Sequence, residues 1–157
     1  MTFVAETEPL DLIRTFIVDN WEETFTTPIP SVRVVNQDKS DDFESDMSFR
    51  MDLLNEGDAV IIKSDGPERI YYRGNITYID KLYPISIEII TKENRQRVRN
   101  LAKMIRAICL DNKWDVPNWQ LVRLIGYQES VAQELNIWRA VLKLQVENYA
   151  VGADTLE

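Results

Sequence analysis

Apolar residues recur along this chain with two periods, and each period marks an element. Tyr83, Ile85, Ile87 and Ile89 alternate with Pro84, Ser86 and Glu88, the period of a strand buried on one face only. After them Val98, Leu101, Ala102, Ile105, Ile108 and Cys109 fall at helical spacing, one stripe about three turns long. That spacing predicts a helix over 92–110, with Thr91 placed as its N-cap. Trp138, Ala140, Leu142, Leu144 and Val146 then alternate with Arg139, Lys143, Gln145 and Glu147, so 138–149 reads as a strand.

The flanking segments are read the same way. Glu8 and Pro9 open a helix, since proline is tolerated in a first turn. Leu10, Ile13, Ile17 and Trp21 form its buried stripe, widened by Phe16. The run Thr26-Thr27-Pro28-Ile29-Pro30 cannot continue it. Val32 to Val35 reads as a short strand, 36–46 as a polar loop or edge, and 47–54 fits neither period. Ala59 to Ile62 is a short apolar strand and 64–67 a turn. Ile70 to Ile79 reads as one hairpin arm pairing back, with Gly74-Asn75 at a bulge. A loop with Pro117 precedes a strand over 119–128, and the polar stretch 128–136 reads as a link. The order is helix, several strands, helix, two strands. It predicts an α+β fold: an antiparallel sheet with two helices packed on one face. The chain reads as a single domain over 1–157, with 1–7 and 151–157 fraying and 36–46 an acidic loop.

Composition narrows the chemistry. A chain of 157 residues can bury about 70% of its unfolded surface, enough for a real core. Its net charge of −8 works against generic binding to phosphate backbones. Histidine is absent, which removes Ser-His-Asp and Cys-His catalysis and imidazole metal sites together. The single cysteine, Cys109, sits in the apolar stripe, as a buried hydrophobe does, and leaves no intrachain disulfide to form. No segment approaches the roughly 20 apolar residues of a membrane span. Met1 to Pro9 lacks a basic start and an apolar stretch, so no signal peptide is expected and the chain should fold in the cytoplasm.

Charge is unevenly placed. Lys92, Arg95, Arg99, Lys103 and Arg106 recur at offsets of three and four opposite the apolar stripe, with Arg97 at the flank. The row reads either as a solvated helix face or as a contact surface for an acidic partner. Asp38, Asp41, Asp42, Glu44 and Asp46 form an acidic run without the spacing or glycine of a calcium loop. Arg95, Arg99, Lys103 and Arg106 on one copy and Asp38, Asp41, Asp42, Glu44 and Asp46 on the next are therefore the candidate oligomer interface. Glu88 and Glu129 are the carboxylates placed on strands or their ends, but no phosphate cradle or second catalytic group accompanies them. No catalytic residue, cofactor or metal ligand is assigned. Trp21 and Trp138 fall on apolar faces as core residues, while Trp114 and Trp119 flank Pro117 as candidate interface anchors.

Two patterns carry a resemblance. Thr91 to Arg106 follows Thr-x-x-x-Arg-x-x-Val-x-x-Leu-Ala-x-x-Ile-Arg, and Trp138, Leu142, Leu144, Val146 and Tyr149 form a closing strand. With the N-terminal helix and strand-rich middle, this resembles the tail terminator and tail completion proteins of tailed viruses. The resemblance implies a small ferredoxin-like or tail-terminator-like α+β protein forming a ring, commonly hexameric, at the head-proximal end of the tail tube. It implies a virion structural protein of the tail or neck, assembled in the host cytoplasm, with no enzymatic activity and no cofactor. Its partners would be further copies of itself, the tail tube protein and neck or connector proteins, with DNA only passing through the lumen and no membrane involved. That family has no catalytic signature to transfer, and the run 38–46 has no counterpart in its pattern. The alternatives are a neck or head–tail adaptor, a tail-tube subunit, and a cellular ferredoxin-like ligand-binding or regulatory domain, which would need a concave apolar site; a tube subunit should carry a long hydrophobic hairpin, and the hairpin here is short and polar at its turn.

Overall fold

A computed structural model describes residues 8–24, 28–35, 47–55, 57–73, 78–111, 121–132 and 136–152. The elements in chain order are α1 (Pro9–Thr24), β1 (Ser31–Val35), α2 (Met47–Leu54), β2 (Ala59–Ser64), β3 (Arg69–Arg73), β4 (Tyr78–Thr91), α3 (Arg95–Asp111), β5 (Leu121–Ala132) and β6 (Ile137–Gly152). The fold is α+β, built on a six-stranded sheet in the order β1-β2-β4-β6-β5, with β3 also paired to β4.

The long strands β4 and β6 form the spine, paired from Tyr78↔Gly152 to Thr91↔Trp138. One edge of β4 is shared. β2 pairs with Ile85–Ile90, and β3 pairs with Tyr78–Leu82. Pro84 lies where one partner gives way to the other, and its carbonyl accepts the Asp65 N–H at 3.0 Å in the connecting turn. A proline there leaves no ladder hydrogen bond unmade, because no strand stands opposite its missing N–H. The expected single arm 70–79 is thus corrected. Its two ends belong to β3 and β4, which pair with each other, and Gly74-Asn75 lies outside the described residues.

The sheet is not wholly antiparallel. β1 runs parallel to β2, Ser31 facing Ala59 and Val35 facing Lys63. Parallel neighbours need a crossover, and the connection from β1 to β2 carries α2. Segment 47–54, which fits neither period, is therefore helical.

Two apolar clusters occupy the two faces. On one, α1 contributes Leu10, Ile13, Phe16, Ile17 and Trp21, and α3 contributes the whole stripe from Val98 to Cys109. Both helices pack on Val60, Ile62, Ile85, Ile87, Ile89, Leu142 and Leu144. On the other face Leu53, Leu54 and Met51 of α2 pack against Val35, Ala59, Ile61, Ile90 and Ile137. The expectation of two helices on one face holds for α1 and α3; α2 covers the reverse. For the same reason every residue from Pro84 to Thr91 is buried, polar ones included, and this half of β4 is not the half-exposed strand its alternation implied.

Local capping also differs from expectation. Thr91 stays in β4, where its hydroxyl donates to Asp58 Oδ1 at 2.6 Å and accepts the Glu93 N–H at 3.2 Å. Asn94 caps α3 instead, accepting the Arg97 N–H at 2.8 Å. β5 runs on through Glu129 to Ala132, so the polar stretch expected as a link is largely strand. β6 continues to Gly152, so 151–152 do not fray. Cys109 is buried, and burial pushes its thiol up to about 12. Among the described residues no helix is long and apolar enough to cross a membrane.

Candidate functional site

The polar face of α3 lies beside β5, and its arginines are already partly committed. Arg95 and Arg99 both reach Glu129 on β5, at 2.8 Å and 2.6 Å. The Tyr127 hydroxyl donates to the same carboxylate at 2.7 Å. Hydrogen bonds from Tyr127 and Arg99 lead the effects that hold the Glu129 carboxyl down at about 2. The Tyr127 phenol moves the other way, pushed up to about 12 by burial and by the neighbouring carboxylate. Glu129 can do this because it is opposite Ala140 in β6, which faces the α3 side of the sheet.

Beyond Glu129 the groove between α3 and β5 opens to about 270 Å³, lined by Gln96, Arg99, Asn100, Lys103, Arg106 and Tyr127 among others. Lys103 and Arg106 are exposed there, and neither has an ion-pair partner among the described residues. Arg97 points elsewhere, gripping Asp58 at 2.6 Å. The basic row is therefore divided: Arg95 and Arg99 are locked to β5, Arg97 is tied to the start of β2, and Lys103 and Arg106 on α3, with Lys92 ahead of it, have no ion-pair partner among the described residues. Asp38, Asp41, Asp42, Glu44 and Asp46 lie outside the described residues, as do Trp114 and Trp119.

Glu88 stands on the opposite face. Arg50 of α2 holds it with two hydrogen bonds of 2.9 Å and 3.0 Å, and Arg139 of β6 reaches it at 2.9 Å. Burial pushes its carboxyl up, but the two arginines outweigh that and keep it below the ordinary carboxylate range. Glu88 is paired with Val141 and Glu129 with Ala140, adjacent residues of one strand. Successive strand residues point to opposite faces, so the two carboxylates cannot serve one substrate as an acid and base pair.

Two edges of the sheet carry apolar side chains into solvent. On β5, which pairs with β6 alone, Ile125, Tyr127 and Val131 are exposed. On β3, which pairs with β4 alone, Ile70 and Tyr71 are about half exposed and Tyr72 is 70% exposed. A second cavity of about 210 Å³ lies near the β5 edge, among Val98, Val131 and Trp138. The alternation of this segment did not disclose the edge, because polar members such as Arg123 and Glu129 are paired, one with Glu147 of β6 and the other with the arginines of α3.

No protein-family model matches the chain, and no curated protein sequence matches it. Among solved structures, a chain of the "Virion of native gene transfer agent (GTA) particle" aligns with a TM-score of 0.48 and 12% identity, over 60% of this chain and 70% of that one. A likeness of that size assigns neither family nor role.

Proposed function

We propose that this chain is a virion structural protein, a tail terminator or tail completion subunit that assembles into a ring capping the tail tube and joining it to the neck. The observation that carries this reading is the pair of open sheet edges. β5 and the β3 side of β4 lie on opposite sides of the β4–β6 spine, and both expose apolar residues. A surface with two different sticky edges favours head-to-tail contact, which closes into a ring when the rotation permits. The patterns at Thr91–Arg106 and Trp138–Tyr149 support the same class. A hexamer is the ring size we adopt, with the tail tube and neck proteins as neighbours, DNA passing only through the lumen, and no catalytic role.

One observation favours a second reading. Ile70, Tyr71 and Tyr72 stand out on the β3–β4 hairpin, as an element stacking between rings would require, so a tail-tube subunit is the alternative. Negative-stain electron microscopy of the purified protein separates the two. The terminator reading expects discrete closed rings, and a tube subunit would give stacked, open-ended tubes. A uniform field of single small particles would defeat both.

A further inference from the structure

Among the described residues, two cations bordering the α3 groove have no ion-pair partner, and an anionic occupant would suit them. Glu129 accounts for Arg95 and Arg99, and Asp58 accounts for Arg97. Lys103 and Arg106 remain, on one helix face, three residues apart and therefore neighbours. They border a groove of about 270 Å³. The protein as a whole carries a net charge of −8, so these cations face a molecule whose other surfaces are acidic. The densest acidity is the stretch Asp38–Asp46, with five carboxylates against the single Lys39.

Chain geometry decides which copy supplies that stretch. It connects Val35, at the end of β1, to Met47, at the start of α2. Fully extended, that connection covers at most about 40 Å. β1 and β5 stand at opposite ends of the sheet order, four strand spacings apart. A round trip across four spacings takes about 38 Å. The groove also lies on the face opposite α2, so the path must pass round the sheet as well. Reaching its own groove would take almost the whole of that span and leave next to nothing for the path round the sheet, so a neighbouring copy is the favoured donor.

We propose that the groove of Arg99, Lys103, Arg106 and Tyr127 receives the acidic stretch Asp38–Asp46 of a second copy. This contact rests on the ring reading and deepens it: it joins two different parts of the chain, as a head-to-tail ring requires. Charge pairing sets the register between neighbours, while the exposed apolar edges supply most of the affinity.

Charge reversal of the full-length protein tests it, read by light scattering and sedimentation over a concentration series. Lys103→Glu with Arg106→Glu should raise the dissociation constant of the ring about tenfold or more at 0.1 M salt. Both residues are exposed, so a urea melt should show the fold intact. Asp41→Lys with Asp42→Lys should weaken assembly similarly, and the four changes combined should recover part of the loss. A ring that forms normally in the Lys103 and Arg106 variant overturns this contact and leaves the ring reading standing. Weakening without recovery in the combined variant overturns the acidic stretch as occupant and points to another acidic surface of the neighbouring copy. A wild type that stays monomeric overturns the ring reading itself.

Discussion

The two faces of this sheet solve the same problem differently. Each holds a carboxylate on a strand, gripped by two arginines. On the α2 face, Glu88 is fully buried, its partner Arg50 has only 10% of its side chain exposed, and the apolar cluster around it is small. On the α3 face, Glu129 sits at the margin of a large apolar core, and Arg95 and Arg99 are 61% and 53% exposed. Burial decides what each cluster is for. A carboxylate withdrawn from water must be paired, so Arg50–Glu88 ties α2 to the sheet. A carboxylate gripped by solvated arginines adds little stability, but it fixes the polar face of α3 against β5 and shapes the groove.

The sharpest way to break this comparison is to remove Glu88. Glu88→Ala removes the buried carboxylate that Arg50 and Arg139 share and should cost about 3–5 kcal/mol in urea melts. A cost no larger than that of Glu129→Ala would mean that the two faces do not differ as described. On the α3 face the weight lies in the apolar core instead. Ile105 is fully buried beneath the helix, and Ile105→Ala should cost about 2–5 kcal/mol. A loss under about 1 kcal/mol would mean that α3 presents a different face to the sheet.

Glu129→Gln should be far milder, below about 1 kcal/mol at neutral pH, since its arginine partners are solvated and screened. Its effect has a defined pH window. The Glu129 carboxyl is lowered from 4.5 to about 2, so its stabilisation is complete above 4.5 and is lost as pH falls towards 2. The stability gap between wild type and Glu129→Gln should therefore narrow through that window. A gap unchanged by pH would detach Glu129 from the arginines that hold it.

Much of the fold was readable from hydrophobic period because its central elements bury a regular stripe. α3 and β6 were visible for that reason, and so was α1. The exceptions share a cause. Segment 47–54 (Met-Ser-Phe-Arg-Met-Asp-Leu-Leu) has no helical stripe, and among the described residues α2 meets the sheet through Met51, Leu53, Leu54 and the Arg50–Glu88 pair. Ser86 and Glu88 looked like a solvent face because alternation cannot show that a later element covers them. Residues 128–132 looked like part of a polar link because an edge strand is free to be polar, and only the register with β6 shows that Arg95 and Arg99 can reach Glu129. The parallel pairing of β1 and β2 leaves no mark in period at all. The basic row was visible as a row. Its division into committed and open cations required the partners.

If the two open edges meet head-to-tail, the mass of the assembled wild type will show it. Light scattering behind size-exclusion chromatography, over a concentration series, should show one closed species at a fixed multiple of the 18.3 kDa protomer, with six as the expected multiple. That multiple should hold as concentration rises, because a closed ring has no free edge left. A species that stops at two copies would mean that the contacts close about a two-fold axis instead of running head-to-tail, and a monomer at every concentration would mean that neither edge seeks a partner. Either result would contradict the account.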